Sequence, residues 1–198
     1  MTSVARTANV LGALALVVTD RMEAAIAAAT GLSATAAAAV SALHQFLDQP
    51  SIDKLRDVLG LTPSGAVRLV DRLAAAGLVV RSAGADGRSR AVTLTPTGRR
   101  TATRIETARA AALRDILGEP AESELAGLDT ALSRLIDGAV RGNLERRSSV
   151  RGGPPNPGWT CRLCDLGACE RSAGACPTAN AAATYLSATT ATATHQRR

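Results

Sequence analysis

Apolar residues near the start of the chain recur at helical spacing. Leu11, Leu14, Val18, Met22 and Ile26 fall on one stripe, which predicts an amphipathic helix over about residues 8–29, stopped near Gly31. Ser33 is a good N-cap and starts a second helix over about 33–47. Pro50 and Ser51 open a third, Ile52–Leu59, and Gly60 closes it. Thr62 caps a fourth, with Pro63 at the first helical position, where its missing N–H costs nothing. This helix is predicted to end at Gly77. Ala66, Leu69, Val70 and Leu73 form its apolar side, while Ser64, Arg68 and Arg72, four apart, line another stripe.

The period then changes. Residues 78–81 and 91–95 read as two short strands, joined by the turn-rich stretch 84–90. Helix returns after Thr97-Gly98 and runs to about Leu117, where Glu119-Pro120 breaks it. A last helix is predicted over about 122–141, with Leu125, Leu128, Leu132, Leu135 and Ile136 on one face. Together these elements give a mainly α fold with a small β-hairpin wing. It is a winged helix-turn-helix with helical dimerisation elements, spanning 8–147, and a Cys-rich C-terminal appendage. Residues 148–160 are rich in Ser, Gly and Pro and read as a linker. A four-cysteine segment covers 161–183, and the Ala/Thr-rich residues 184–198 are expected to form a disordered tail.

Composition adds two constraints. Hydrophobic residues make up 46% of the 198, enough for a core, but aromatics only 2%, namely Phe46, Trp159 and Tyr185. The core is therefore aliphatic, and a pocket that stacks aromatic ligands is not expected. Charge is placed unevenly. Arg68, Arg72, Arg81, Arg88, Arg90, Arg99, Arg100 and Arg104 face only Asp71 and Asp86 between residues 62 and 104. That stretch alone carries the chain's formal net charge of +6. A basic patch on a near-neutral body is the electrostatic footprint of a nucleic-acid binder, although a solvated charged face has the same composition.

The apolar run 10–18 after Arg6 imitates a signal-peptide core, but Asp20, Arg21 and Glu23 stand where small residues would precede cleavage. No apolar stretch reaches the ~18 residues of a membrane span. The chain is expected in the cytoplasm, without a membrane partner.

The second helix of such a helix-turn-helix enters the major groove. Arg68 can reach a guanine edge or a phosphate. Thr62 and Ser64 sit at the helix N-terminus, where hydroxyls and free N–H groups suit phosphate, and Gly65 lets the backbone approach closely. Arg72 extends the stripe. Arg88 and Arg90 lie near the hairpin tip, where arginine can enter a minor groove. Asp86 reads as a turn former.

The stretch "LRDVLGLTPSGAVRLVDRLAAAGLVVRSAGADGRSRAVTLTPTGRR", residues 55–100, resembles the MarR family of bacterial regulators. The resemblance rests on Asp71-Arg72-Leu73 ending the recognition helix, Gly77-Leu78-Val79 after it, Asp86-Gly87-Arg88 in the wing, and Leu94-Thr95 before Gly98. It covers about 8–147 and is silent about 161–198. It implies a homodimer formed by the N- and C-terminal helices, bound to double-stranded DNA at a palindromic operator.

All four cysteines fall in one run, Cys161-x2-Cys164-x4-Cys169-x6-Cys176, followed by Pro177. Four thiols so spaced can wrap one metal centre. Structural zinc would hold the appendage folded; an iron–sulfur cluster would make it a redox or gas sensor. Only one Cys-x2-Cys knuckle is present, and a proline after the last cysteine occurs in some iron–sulfur runs, which tilts the reading slightly to iron–sulfur. Two disulfides are the alternative, disfavoured by a reducing cytosol. Asp165, Trp159, His44 and His195 are not read as ligands. An enzyme is not expected, since no Ser/His/Asp set or paired-carboxylate site stands out. A thiol redox protein using Cys161 and Cys164 is the rival reading, but the β-α-β context of such motifs is missing. A pure interaction module, using the helices for dimerisation and the tail for a partner, is another.

Overall fold

The structure, a computed structural model, describes residues 3–83, 90–151 and 157–195. It begins with α1 (Val4–Thr30) and α2 (Ala34–Gln45), followed by α3 (Ile52–Leu59) and α4 (Pro63–Ala75). A hairpin of β1 (Val79–Ala83) and β2 (Arg90–Leu94) comes next, then α5 (Pro96–Leu117) and α6 (Glu122–Arg151). Two short 3-10 turns, Pro157–Trp159 and Arg171–Ala173, precede α7 (Pro177–His195). The fold is mainly helical with one small antiparallel sheet, as the winged helix-turn-helix reading expects.

Side-chain caps set the helix starts. The hydroxyls of Ser33, Ser51, Thr62 and Thr95 accept from the amides of Ala36, Lys54, Gly65 and Gly98. Gly31 and Gly60 end α1 and α3 in the left-handed conformation that glycine adopts without strain.

The core is built around α2, in which every residue from Ala36 to Leu43 is buried. A helix buried on all sides must be small on all sides, and the alanines allow close approach from each neighbour. Leu55 and Val58 of α3 and Leu69, Val70 and Leu73 of α4 join the same cluster. So do Val79, Val92 and Leu94 of the wing and Ala102 and Ile105 of α5. Helix α1 lies along α5, yet its only fully buried residue is Ile26. Val140 and Leu144 of α6 form a separate small core with Ala181 and Ala182 of α7, with Ile136 and Tyr185 at its edge.

Several elements depart from the sequence expectation. Helix α1 begins at Val4, capped by Ser3. Helix α6 continues past residue 141 to Arg151, into the stretch read as a linker. Its added turns hold Leu144, Glu145 and Arg146, all good helix formers. Beyond Thr184 the chain continues as helix to His195 instead of an irregular tail. Pro177 starts that helix, and alanine has the highest helix propensity. Ile136 leaves the predicted leucine face and packs towards α7. The wing has an additional bridge, Ser51 to Ala91, with the Val92 amide donating to the Pro50 carbonyl at 3.0 Å.

The joint between α4, the wing and α5 is tight. A Cβ on Gly98 would lie 2.0 Å from the Leu78 carbonyl oxygen, which is fixed backbone. Gly98→Ala is expected to lower stability by about 1–3 kcal/mol, because overpacking forces the backbone apart. A urea titration checks this; an unchanged midpoint would show that the joint can open at no cost.

Candidate nucleic-acid interface and cysteine segment

Helix α4 buries Ala66, Leu69, Val70 and Leu73 against α3 and the core, which turns Ser64, Arg68 and Arg72 outward. All three are exposed, as is Thr62. The stripe predicted from four-residue spacing is therefore free to meet a ligand along its length. Thr62 also has an internal duty, since its Oγ1 accepts from the Gly65 amide at 3.2 Å. A Cβ on Gly65 would lie 2.9 Å from that oxygen, so the glycine keeps the cap closed. Arg88 lies outside the described residues. Arg90 opens β2, and its side chain also lies outside what is described.

Two features of this surface were not read from the sequence. Val67 stands beside Arg68 and is 45% exposed, an apolar side chain among polar ones on the outer face. Its signal was a β-branched residue three positions after Ser64. Arg81 of β1 pairs with Asp71 of α4, tying that helix to the wing. The spacing of ten residues gives no periodic signal for such a pair.

The joint continues below. Thr95 Oγ1 donates to the Gly77 carbonyl at 2.6 Å, and the Thr95 amide donates to the Leu78 carbonyl at 3.0 Å. Arg99 Nη1 donates to the Leu94 carbonyl at 2.9 Å. The end of α4, the end of β2 and the start of α5 are thus one unit.

The cysteine segment lies on the body. Leu163 packs against the main core. The Leu166 amide donates to Gln45 Oε1 of α2 at 3.0 Å, and Gln45 Nε2 in turn donates to Glu106 of α5. His44 Nε2 stands 3.7 Å from Glu106 Oε1. All four cysteines are free thiols, with Cys161 and Cys176 buried and Cys164 and Cys169 half-buried. The neighbouring Cys164 side chain holds the Cys161 sulfur below the usual thiol range despite its burial. Arg171 Nη1, 3.6 Å from that sulfur, acts in the same direction. The same proximity of Cys161, together with burial, pushes Cys164 well up. Burial also pushes Cys169 up, and Cys169 is linked to both Cys164 and Cys176. The thiols are neighbours in pairs: among the described residues no three His, Cys, Asp or Glu side chains are gathered as ligands of one ion. Asp165 is occupied by a turn, its Oδ1 accepting from the Gly167 and Ala168 amides at 2.9 and 3.1 Å.

Residues 30–89 match the model of the MarR family. No curated protein matches the chain by sequence. Among solved structures, a probable transcriptional regulator from Pseudomonas aeruginosa is similar at 28% identity and a TM-score of 0.50, over 63% of this chain and 95% of that one. The stretch 30–89 is therefore similar to the MarR family of transcriptional regulators. A MarR family protein from Bacillus stearothermophilus has a TM-score of 0.60 at 22% identity, over 67% of this chain and 91% of its own. A MarR family regulator from Rhodococcus sp. RHA1 has a TM-score of 0.55 at 20% identity, over 68% of this chain and 96% of its own. These two share the fold. The residues matched to the MarR family contain Thr62, Ser64, Gly65, Arg68 and Arg72 and stop short of the cysteines. No single helix among the described residues is long and apolar enough to cross a membrane.

The two duties of Thr62 can be separated. Thr62→Ala is expected to cost about 1 kcal/mol of stability through loss of the cap. Thr62→Asp should restore much of that stability, because aspartate caps well, while placing a negative charge where phosphate would lie. Thermal unfolding of both variants checks this; equal destabilisation by the two would remove the cap as the cause.

Proposed function

We propose that this chain is a dimeric, sequence-specific DNA-binding regulator of the MarR type that acts in the cytoplasm on a palindromic operator. The observation that carries this reading is the exposed stripe Ser64, Arg68 and Arg72 on a helix whose other side is locked into the core. In this reading α4 enters the major groove. Arg68 reaches a guanine edge with two hydrogen bonds, and Val67 meets a thymine methyl. Thr62 and Ser64 hold a phosphate at the α4 N-terminus, close to the backbone at Gly65, and Arg72 meets the phosphate backbone. Arg88 and Arg90 of the wing reach into a minor groove.

The dimer follows from unpaired apolar surface. Val10, Leu11, Leu14 and Val17 of α1 are exposed, and so are Leu125, Leu128, Leu132 and Leu135 of α6. Helix α6 makes its extensive contact with α7. Apolar faces of this extent mark an interface, and a second copy presents the same faces about a twofold axis. Such an axis places two α4 helices on two half-sites, which is what a palindrome provides.

Binding to a palindromic duplex should weaken steeply with salt, since arginine contacts displace counterions. Arg68→Ala should cost roughly 1–3 kcal/mol on the preferred site, and Val67→Ala should lower preference for the site with little change in salt slope. Fluorescence anisotropy over a salt series reads both. Equal binding by wild type and Arg68→Ala would sink that residue's role, and no duplex binding at low salt would sink the reading itself.

For the assembly, Leu14→Asp combined with Leu128→Asp should turn a sedimenting dimer into a monomer at micromolar concentration. A wild-type chain that sediments as a monomer would refute the dimer.

A further inference from the structure

We infer that residues 157–176, with α7 behind them, form a strap that holds α3 in position relative to α6, so that Gln45 and Leu163 act as positioning residues for the α3–α4 pair. The consequence for DNA rests on the regulator reading above; the strap itself does not.

The two regulators that share the fold are covered almost entirely by about two thirds of this chain. The winged helix-turn-helix is complete in α2 to α5 and the hairpin before the strap begins. The strap is nevertheless fastened to that unit at separate points. The Pro157–Trp159 turn packs against α3, with Gly158 buried. Leu163 packs against the main core. The Leu166 amide donates to Gln45 Oε1 at 3.0 Å. That acceptor is itself oriented, because Gln45 Nε2 donates to Glu106 of α5. An amide group whose nitrogen is engaged on one side presents its oxygen on the other.

The far end of the strap is fastened to a different element. Ala181 and Ala182 of α7 are buried with Val140 and Leu144 of α6. Helix α7 also packs against the Pro157–Trp159 turn. Packed contacts therefore run from α6 through α7 and the turn to α3. The strap between them is cross-braced. Asp165 Oδ1 accepts from the Gly167 and Ala168 amides, the Leu166 carbonyl accepts from the Arg171 amide at 3.1 Å, and the Arg162 guanidinium lies 5.9 Å from the centre of the Trp159 ring. Close-packed, braced elements transmit position instead of absorbing it.

Helix α3 is the element most open to such control. It has eight residues, of which Leu55 and Val58 are buried. A helix so short is not stable by itself, so its place is set by what packs around it. It leads into α4 through Gly60 and Leu61, and α4 carries the exposed Ser64, Arg68 and Arg72. Two α4 helices on a palindrome must match the spacing of the half-sites, and one base pair shifts that spacing by about 3.4 Å along the duplex. A strap from α3 to α6, the arm that presents the apolar leucine face, makes the dimer selective for one spacing.

The test uses the full-length chain and two variants. Leu163→Asp places a charge where the strap meets the core, and Gln45→Ala removes the acceptor of the Leu166 amide. Hydrogen exchange is measured without DNA. Both variants should exchange the α3 amides roughly tenfold faster than wild type, with the amide of Ala102 in α5 unchanged. Fluorescence anisotropy is then read on the preferred palindrome and on duplexes with the half-sites one base pair closer and one farther apart. Wild type should favour the matched spacing by about tenfold or more, and the variants should lose most of that preference. A residue that only supports the fold would weaken binding to all the duplexes alike and leave their ratio unchanged. Unchanged α3 exchange in folded variants would overturn the strap, and an unchanged ratio would overturn its control of spacing. If Leu163→Asp does not fold, Gln45→Ala decides both. Failure of the wild-type chain to bind any duplex would sink the regulator reading, while α3 exchange would still decide the strap.

Discussion

The carbonyl of Leu78 is the point on which the rest of the molecule depends. It accepts the Thr95 amide and lies directly under Gly98. Because Thr95 is also the cap of α5, one short stretch fixes the exit of α4, the last residue of β2 and the first turn of α5. Buried backbone groups must be paired, so this joint has few alternative arrangements. The orientation of Arg68 and Arg72 relative to the wing is set here, with the Asp71–Arg81 pair as a second tie near the surface. An exposed ion pair contributes little by itself, which leaves the buried joint as the main determinant of the angle between α4 and the wing.

From the same joint α5 runs the length of the body. Glu106 lies along it and accepts from Gln45 of α2, whose side chain in turn holds Leu166. A rigid helix therefore has the wing at one end and the C-terminal segment partway along. Helix α2 reinforces this, since Gln45 closes α2 at the same place. Its alanine-rich wall lets α3, α5 and β2 approach closely, and close-packed interiors transmit displacement instead of absorbing it. Coupling between the segment and α4 would need no added element.

Local chemistry was largely legible in the sequence. The caps at Ser33, Ser51 and Thr62, the stop at Gly60 and the two faces of α4 all follow from short-range rules, and each appears where those rules place it. What stayed illegible depends on tertiary contact. The bridge from Ser51 to Ala91 joins residues far apart in sequence and leaves no periodic trace. Ile136 belongs by spacing to the leucine face, but α7 draws it the other way. Helix α7 itself has little amphipathic pattern, being mostly Ala and Thr, so composition pointed to irregular chain. High alanine propensity and a narrow contact with Val140 and Leu144 act in favour of helix instead. The outward-facing residues Ser64, Arg68 and Arg72 of α4 were legible as a stripe, while the exposed Val67 carries no periodic signal of its own.

The C-terminal segment raises a different physical question, which is what orders so short a piece of chain. Stretches below roughly 40 residues rarely bury enough apolar surface to fold alone and use cross-links, metals or partners instead. Between the two 3-10 turns, Leu163 is the residue that reaches the main core. The backbone there is held by turns, such as those at Cys164, Cys169 and Glu170, and by Asp165 closing its own loop. Turns fix local shape but bury little. The Gln45 bond, Leu163 and the packing of the Pro157–Trp159 turn against α3 attach the segment to the body. Contacts with the body, more than burial within the segment, therefore order it.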